Sequence, residues 1–321
     1  MQEEVEVIAS LKNDSSGLSL VPRGACRLCD GEERIEERRI GDFPIVRCTA
    51  CGFLQTDRTL DGPALGAYYS RAFGHVGGRM FQGQQVNARV NSLLMRRFGL
   101  ARRGLSFLDV GCGFGFLMQE MRDRFAMRTA GVEISDAERT FGCEELGLGI
   151  EASIDALGEV QYDTVGLFEV VEHIVDPVGF VRQVTRRLKP GGHLVIATDN
   201  FDCDVVRAMG NRFPKWIPHQ HISLFNNRTL PRLIERVSGL EVTSRASFTP
   251  WELLVQKYIA KATNGGRGGR DFDLEAELES EGTRPFRLFV LRKLVNSLWF
   301  SSTLRRDLEG AMMVIVAGKP A

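Results

Sequence analysis

Leu108-Asp109-Val110-Gly111-Cys112-Gly113-Phe114-Gly115 is the stretch on which the fold turns. An apolar run, Leu105 to Val110, leads into three alternate glycines, and Phe114–Phe125 then reads as a helix. The pattern is strand, tight turn, helix. Glycines in that turn let the backbone approach a bound nucleoside closely. The dinucleotide fingerprint needs a small residue at its sixth place, and Phe116 stands there. A pyrophosphate cofactor is therefore disfavoured. Glu133 closes the next strand candidate, where an acid can accept from both ribose hydroxyls.

Outward from this turn, strand and helix candidates alternate from Leu105 to about Ser247. The strands are Leu105–Val110, Arg128–Ile134, Leu148–Glu151, Asp163–Phe168, His193–Thr198 and Glu241–Ser244. Helices such as Pro177–Leu188 and Leu230–Val237 fill the gaps. Such alternation builds βαβ units and a parallel sheet. Upstream, 61–100 reads as a helical lid or linker, with Val86, Val90, Leu93, Leu94 and Phe98 near helical spacing. Residues 1–24 read as a flexible tail. Downstream, 249–262 and 284–306 read as helices around a Gly-rich, then acidic loop. Met312-Met313-Val314-Ile315-Val316 is a late buried strand.

Two cysteine pairs, Cys26-x-x-Cys29 and Cys48-x-x-Cys51, lie in 25–60 and are separated by 18 residues. Two tight turns can each supply two corners of a tetrahedron, so the spacing predicts a structural zinc. With four sulfur ligands no corner is left for a water. A segment this small needs such a staple. Cys143 and Cys203 have no partner at motif spacing, and Cys112 reads as a small packing residue.

The chain has 321 residues, with 41 basic and 41 acidic side chains, so a nucleic-acid partner is not expected. No apolar run reaches the roughly 18 residues of a membrane span. The N-terminus lacks the basic start and apolar core of a signal peptide, so the cytoplasm is the expected compartment.

These residues resemble the class I S-adenosylmethionine-dependent methyltransferases. The likeness runs through the glycine turn, Gly131-Val132-Glu133-Ile134-Ser135 and Tyr162-Asp163-Thr164-Val165. It continues in Glu169-Val170-Val171-Glu172-His173-Ile174-Val175-Asp176-Pro177 and Leu188-Lys189-Pro190-Gly191-Gly192-His193-Leu194. With the cysteine segment and Tyr68-Tyr69, it is similar to a bacterial subgroup with an N-terminal zinc-binding segment, which includes sugar C-methyltransferases and natural-product enzymes. The resemblance implies a Rossmann-like, seven-stranded, doubly wound α/β sheet over 101–321, with a helical insertion at 249–306 before the last strand. It implies that Gly111 and Gly113, with Cys112 in the same turn, pack on the methionine part of the cofactor, and that Asp109 organises the turn. Glu133 would bind the ribose, Ile134 the adenine face and Asp155 the adenine amino group. Phe168 and Glu169 would line the floor. Tyr68, on the expected lid, can bond the methionine carboxylate or the substrate, or simply pack the lid.

Methyl transfer needs an aligned nucleophile, a place for its proton and exclusion of water. Glu169 and His173 follow the fourth strand candidate, where open parallel sheets bind ligands. His173 has a side chain that titrates near neutrality. Trp216-Ile217-Pro218-His219-Gln220-His221 is a second cluster aimed at the same rim. His219 and His221 are base or orienter candidates, with loop packing and then metal binding ranked behind. Tyr69 and Trp216 are substrate-binding candidates. The apolar and basic helix at 284–306 reads first as a helix packed on the core, and it also suits a substrate lid, a homo-oligomer face or a membrane surface. The expected function is methylation of a small molecule at carbon or oxygen, in natural-product, sugar or prenyl/lipid-linked metabolism. A macromolecule methyltransferase and a non-catalytic binding protein of the same fold are the alternatives.

Overall fold

A computed structural model describes residues 20–72, 79–262, 295, 297–300 and 302–321. Residues 1–19 and 263–294, which include the Gly-rich loop and the first part of the 284–306 helix, lie outside the described residues.

The N-terminal segment holds five short strands: β1 (Leu20–Pro22), β2 (Arg34–Ile40), β3 (Phe43–Cys48), β4 (Leu54–Thr56) and β5 (Arg58–Leu60). β2, β3 and β4 form an antiparallel meander, and β1 pairs with β5. The expected tail thus yields to a strand from Leu20 onward. The meander does not close on itself. Ser223–Leu224, from far down the chain, pairs antiparallel with β4. Phe53 stacks on Phe225 with ring centroids 5.1 Å apart. The segment therefore shares its core with the main domain, which answers its lack of apolar bulk.

Two helices follow, α1 (Gly62–Ala72) and α2 (Arg79–Arg97). The sheet domain then runs β6 (Ser106–Val110), α3 (Phe116–Phe125), β7 (Arg128–Val132), α4 (Asp136–Glu144), β8 (Ile150–Glu151), β9 (Tyr162–Phe168), α5 (Pro177–Thr185) and β10 (Leu188–Asp199). It continues with α6 (Asp204–Met209), β11 (Ser223–Leu224), α7 (Thr229–Glu235), β12 (Glu241–Phe248), α8 (Trp251–Ala262) and β13 (Met312–Gly318). Capping residues start two of these helices. The Ser135 hydroxyl accepts from the Glu138 N–H, and Asp176 accepts from Gly179 with Pro177 in the first turn.

The main sheet has seven strands in the order β12-β13-β10-β9-β6-β7-β8. β8, β7, β6, β9 and β10 are parallel, and β13 inserts antiparallel between β10 and β12. Helices cover both faces, so alternate side chains of each strand enter different cores. Leu108, Leu167, Ile196 and Ile315 pack with Val181, Val184 and Leu233 on one face. Phe107, Val195, Val314 and Val316 pack with Leu94, Leu117 and Met121 on the other. The strand order reverses between β6 and β9. In open α/β sheets ligands bind beyond the carboxyl ends of the strands at that reversal. The glycine turn follows β6, and Glu169 to His173 follow β9.

Candidate functional site

The turn after β6 has the left-handed backbone its glycines promise, with φ of +76° at Gly111 and +55° at Gly113. A Cβ at Gly111 would lie 2.6 Å from Val170 Cγ2, and one at Gly113 would run into Gln84 Oε1. The Gly111 and Cys112 amides both donate to the Val132 carbonyl, at 2.8 and 3.1 Å, locking the turn to the end of β7. Glu133 sits just beyond. Its Oε2 accepts from the Gly113 amide at 2.8 Å and its Oε1 from the Ser135 amide at 2.9 Å. Burial pushes its pKa up, while those amides pull it back. Asp109 is wholly buried, and burial together with the Glu133 charge lifts it to about 8. Cys112 is a buried thiol whose pKa burial drives well up, so it packs rather than reacts.

Ile134 is 53% exposed beside this carboxylate, free to cover an adenine ring. Phe168 ends β9 and lies against the glycine gap at Gly166. Asp155 is exposed on a short turn and accepts from the Gln183 side chain at 3.1 Å. Gln84 was not legible as a site residue. From α2 its Oε1 accepts from the Phe114 amide at 3.1 Å, and its Nε2 donates to Glu138 at 2.7 Å. The narrow glycine cradle, the acid at Glu133 and the exposed apolar cover fit a nucleoside cofactor.

Across the crevice, Glu169 holds a left-handed φ of +57°, an uncommon state for a residue with a side chain. The turn Val171–His173 follows it. His173 Nδ1 lies 3.0 Å from the Gln220 carbonyl and 3.0 Å from the Tyr69 hydroxyl, which itself donates to that carbonyl at 3.1 Å. A carbonyl only accepts, so Nδ1 carries the proton and the Nε2 lone pair is left open. Burial lowers the His173 pKa to about 4, so the ring is neutral at pH 7. His221 repeats the arrangement. Its Nδ1 donates to the Lys215 carbonyl at 2.8 Å, and burial holds its pKa well below the usual range. The two imidazoles stand with ring centroids 4.9 Å apart. Glu172 is buried beside them, pushed up to about 8 by burial and by Asp199, and it accepts from Thr198 at 2.9 Å. Glu172, His173 and His221 bring ligand atoms within 4.8 Å of one another, close enough to share a proton or to hold a small cation.

Lys215 joins the two sides. Its ammonium lies 3.7 Å from Glu169 and 3.6 Å from Asp199, whose side chain is 1% exposed. Apart from Lys215, neither Asp199 oxygen has a hydrogen-bond partner among the described residues. Those two carboxylates raise the Lys215 pKa, so it stays charged. The remaining loop residues divide. Tyr69 reaches His173, whereas the Tyr68 hydroxyl accepts from the Gln220 side-chain Nε2. Tyr68 is therefore turned to the histidine loop in this structure. His219 packs edge-on against Tyr68 at 5.3 Å and near Phe43. Trp216 is 9% exposed among Phe201 and Phe213, with its N–H donated to the Gly210 carbonyl at 3.0 Å. It plugs the loop into the core.

The four N-terminal cysteines converge. Cys26 and Cys51 sulfurs lie 3.5 Å apart, Cys29 and Cys48 sulfurs 3.6 Å apart, and all four fall within 4.8 Å. A disulfide would need about 2.05 Å. Tetrahedral zinc with bonds of about 2.3 Å places its sulfurs about 3.8 Å apart. The set fits a zinc ion. The two turns match: the Asp30 amide donates to the Cys26 carbonyl, and the Gly52 amide to the Cys48 carbonyl.

Residues 82–245 match the family described as a methyltransferase domain, just over half the chain. The chain belongs to the class I S-adenosylmethionine-dependent methyltransferases. Among its relatives, the ubiquinone biosynthesis O-methyltransferase of Ruegeria pomeroyi is 35% identical over 30% of this chain and 42% of its own length. That of Dinoroseobacter shibae is 31% identical over 43% and 61%. The chain thus spans about half the length of the curated relatives it matches. Haemonchus contortus phosphoethanolamine N-methyltransferase 2, solved with S-adenosylhomocysteine, superposes with a TM-score of 0.50. It is 16% identical, over 90% of this chain and 71% of that one, and shows the fold alone.

Proposed function

We propose that this protein transfers a methyl group from S-adenosylmethionine to a hydroxyl oxygen of a small molecule. The observation that carries the reading is His173: a neutral imidazole whose Nδ1 proton is fixed by the Gln220 carbonyl and whose Nε2 has no hydrogen-bond partner among the described residues. The bound cofactor supplies the electrophilic methyl. Glu133 and Ile134 would hold its nucleoside end, with Gly111, Cys112 and Gly113 under its methionine part. Asp109, Phe168 and Asp155 are proposed to complete that side.

The chain's own residues then manage the proton. A hydroxyl acceptor becomes nucleophilic as its proton moves to His173 Nε2. The Tyr69 hydroxyl and the Gln220 carbonyl keep the ring from rotating. His221 and Glu172 bring ligand atoms within 4.8 Å of it, and Glu172, pushed up to about 8, already holds its own proton. Lys215, held positive by Asp199 and Glu169, favours the developing oxyanion electrostatically. The names of the relatives support oxygen as the acceptor atom. The cysteine cluster is proposed to hold zinc as a structural ion.

The test is a methyl-release assay with hydroxylated aromatic, sugar and prenylated acceptors, each beside its O-methylated counterpart. The reading predicts turnover only where the hydroxyl is free. Equal turnover of the blocked compounds would point to carbon or nitrogen instead.

A further inference from the structure

Arg23 is 1% exposed and lies three residues before the first cysteine of the cluster. Its guanidinium is directed to main-chain and hydroxyl acceptors of two other segments. Nη1 donates to the Ile222 carbonyl. Nη2 donates to the Val175 carbonyl at 2.8 Å and to the Ser223 hydroxyl at 3.0 Å. That hydroxyl donates in turn to the Ile174 carbonyl at 2.7 Å. Val175 and Ile174 directly follow Glu172 and His173. Ile222 and Ser223 directly follow His221. The two segments also meet each other, because the Ile222 amide donates to the Glu172 carbonyl at 2.8 Å.

The cysteine segment grips the same place a second time. The Thr56 amide donates to the Ile222 carbonyl at 3.1 Å, and Ser223 pairs with Gln55. Arg23 is itself tied to that segment, its amide donating to the Asp57 carbonyl at 2.9 Å. The Arg27 amide, beside Cys26, donates to the Gln55 side chain at 3.0 Å. The cofactor turn uses other partners: Val132, Glu133 and Gln84.

We propose that Arg23 is the positioning residue of the acceptor side, through which the cysteine cluster holds the His173 turn and the His221 loop together. The proposal rests on the methyl-transfer reading, in which those histidines handle the proton. The cysteine segment then braces the proton-handling rim while leaving the cofactor turn alone. A guanidinium suits this role because its planar fork donates in several directions at once. Its removal leaves the Val175 carbonyl without this donor and the Ile222 carbonyl with the Thr56 amide alone, which loosens the two segments locally.

The test uses the full chain as wild type, Arg23→Met, Arg23→Lys and Ser223→Ala, and the wild type after treatment with a zinc chelator. Hydrogen exchange is followed in 171–176 and 217–224, histidine ring nitrogens by NMR, and S-adenosylmethionine binding by calorimetry. Arg23→Met is expected to speed exchange in both segments about tenfold or more, with cofactor affinity within about threefold of wild type. His173 should pass from one fixed tautomer to an averaged signal. Arg23→Lys, which still donates but without the fork, should fall between. Chelation should reproduce the Arg23→Met pattern, and Ser223→Ala a weaker form of it. Unchanged exchange in the two segments with a fixed His173 tautomer would overturn the proposal. So would a uniform rise over the whole chain with loss of cofactor binding. Failure of the wild type to bind the cofactor would instead sink the methyl-transfer reading. Ser223→Ala and chelation keep the question decidable if Arg23→Met does not fold.

Discussion

At the residue scale the site depends on a few side chains in unusual states. His173 has its proton pinned on Nδ1 by the Gln220 carbonyl. His173→Ala is therefore expected to cut turnover by about 10²–10⁴-fold while cofactor affinity is kept, a split that kinetics and calorimetry together would show. Gly111 is equally specific. Alanine there meets a φ of +76° and the branched side chain of Val170 at 2.6 Å. Gly111→Ala should cost about 1–3 kcal/mol of stability, read by denaturant unfolding, and weaken cofactor binding as well. His173 and Glu169 could be nominated from sequence because they follow a strand at the sheet's ligand edge. Lys215, Asp199 and Gln84 could not. Lys215 meets Asp199 and Glu169 only after the loop beyond β10 folds back, and no local spacing encodes that meeting.

At the element scale the long alternation of strands and helices was legible because each strand is buried on two faces and so reads as a plain apolar run. β6, β7, β9 and β13 stand where the pattern put them, with ends shifted by a residue or two. β10 starts five residues earlier than the apolar run, because Leu188 pairs with Tyr162 before a register shift at His193. β1 and β11 were not legible. Three and two residues carry no periodicity, and their partners lie far along the chain. The cysteine pairs announced themselves by spacing alone, but not that their sheet would brace the histidine loop. Cys48→Ser removes one corner of the sulfur cluster. Metal content measured on the purified protein should fall, and the melting temperature with it. Unchanged metal content would show that the cluster is not the metal's holder.

At the scale of the whole molecule, buried titratable groups set how stability varies with pH. Burial lifts Asp109 and Glu172 to about 8, from ordinary values of 3.8 and 4.5. Folded protein then binds more protons than unfolded protein over that range. Their contribution is full below about pH 4 and is lost as pH rises through 8. His173, lowered to about 4 from 6.5, acts the other way: its contribution is full above 6.5 and is lost as pH falls through 4. Of these three groups only the two carboxylates act between pH 6.5 and 8. The melting temperature should fall with rising pH across that window, and Glu172→Gln should flatten the slope. Outside the sheet, Val255, Tyr258 and Ile259 are exposed on α8, and among the described residues no helix is long and apolar enough to cross a membrane.

The sheet order, the glycine turn and the acid beyond β7 converge on one claim, that the crevice between β6 and β9 takes S-adenosylmethionine. Calorimetric titration of the purified chain with that compound tests it most directly. The expected result is one saturable site, lost in Glu133→Ala and kept in His173→Ala. No heat and no thermal protection at millimolar concentration, or binding indifferent to Glu133, would contradict it.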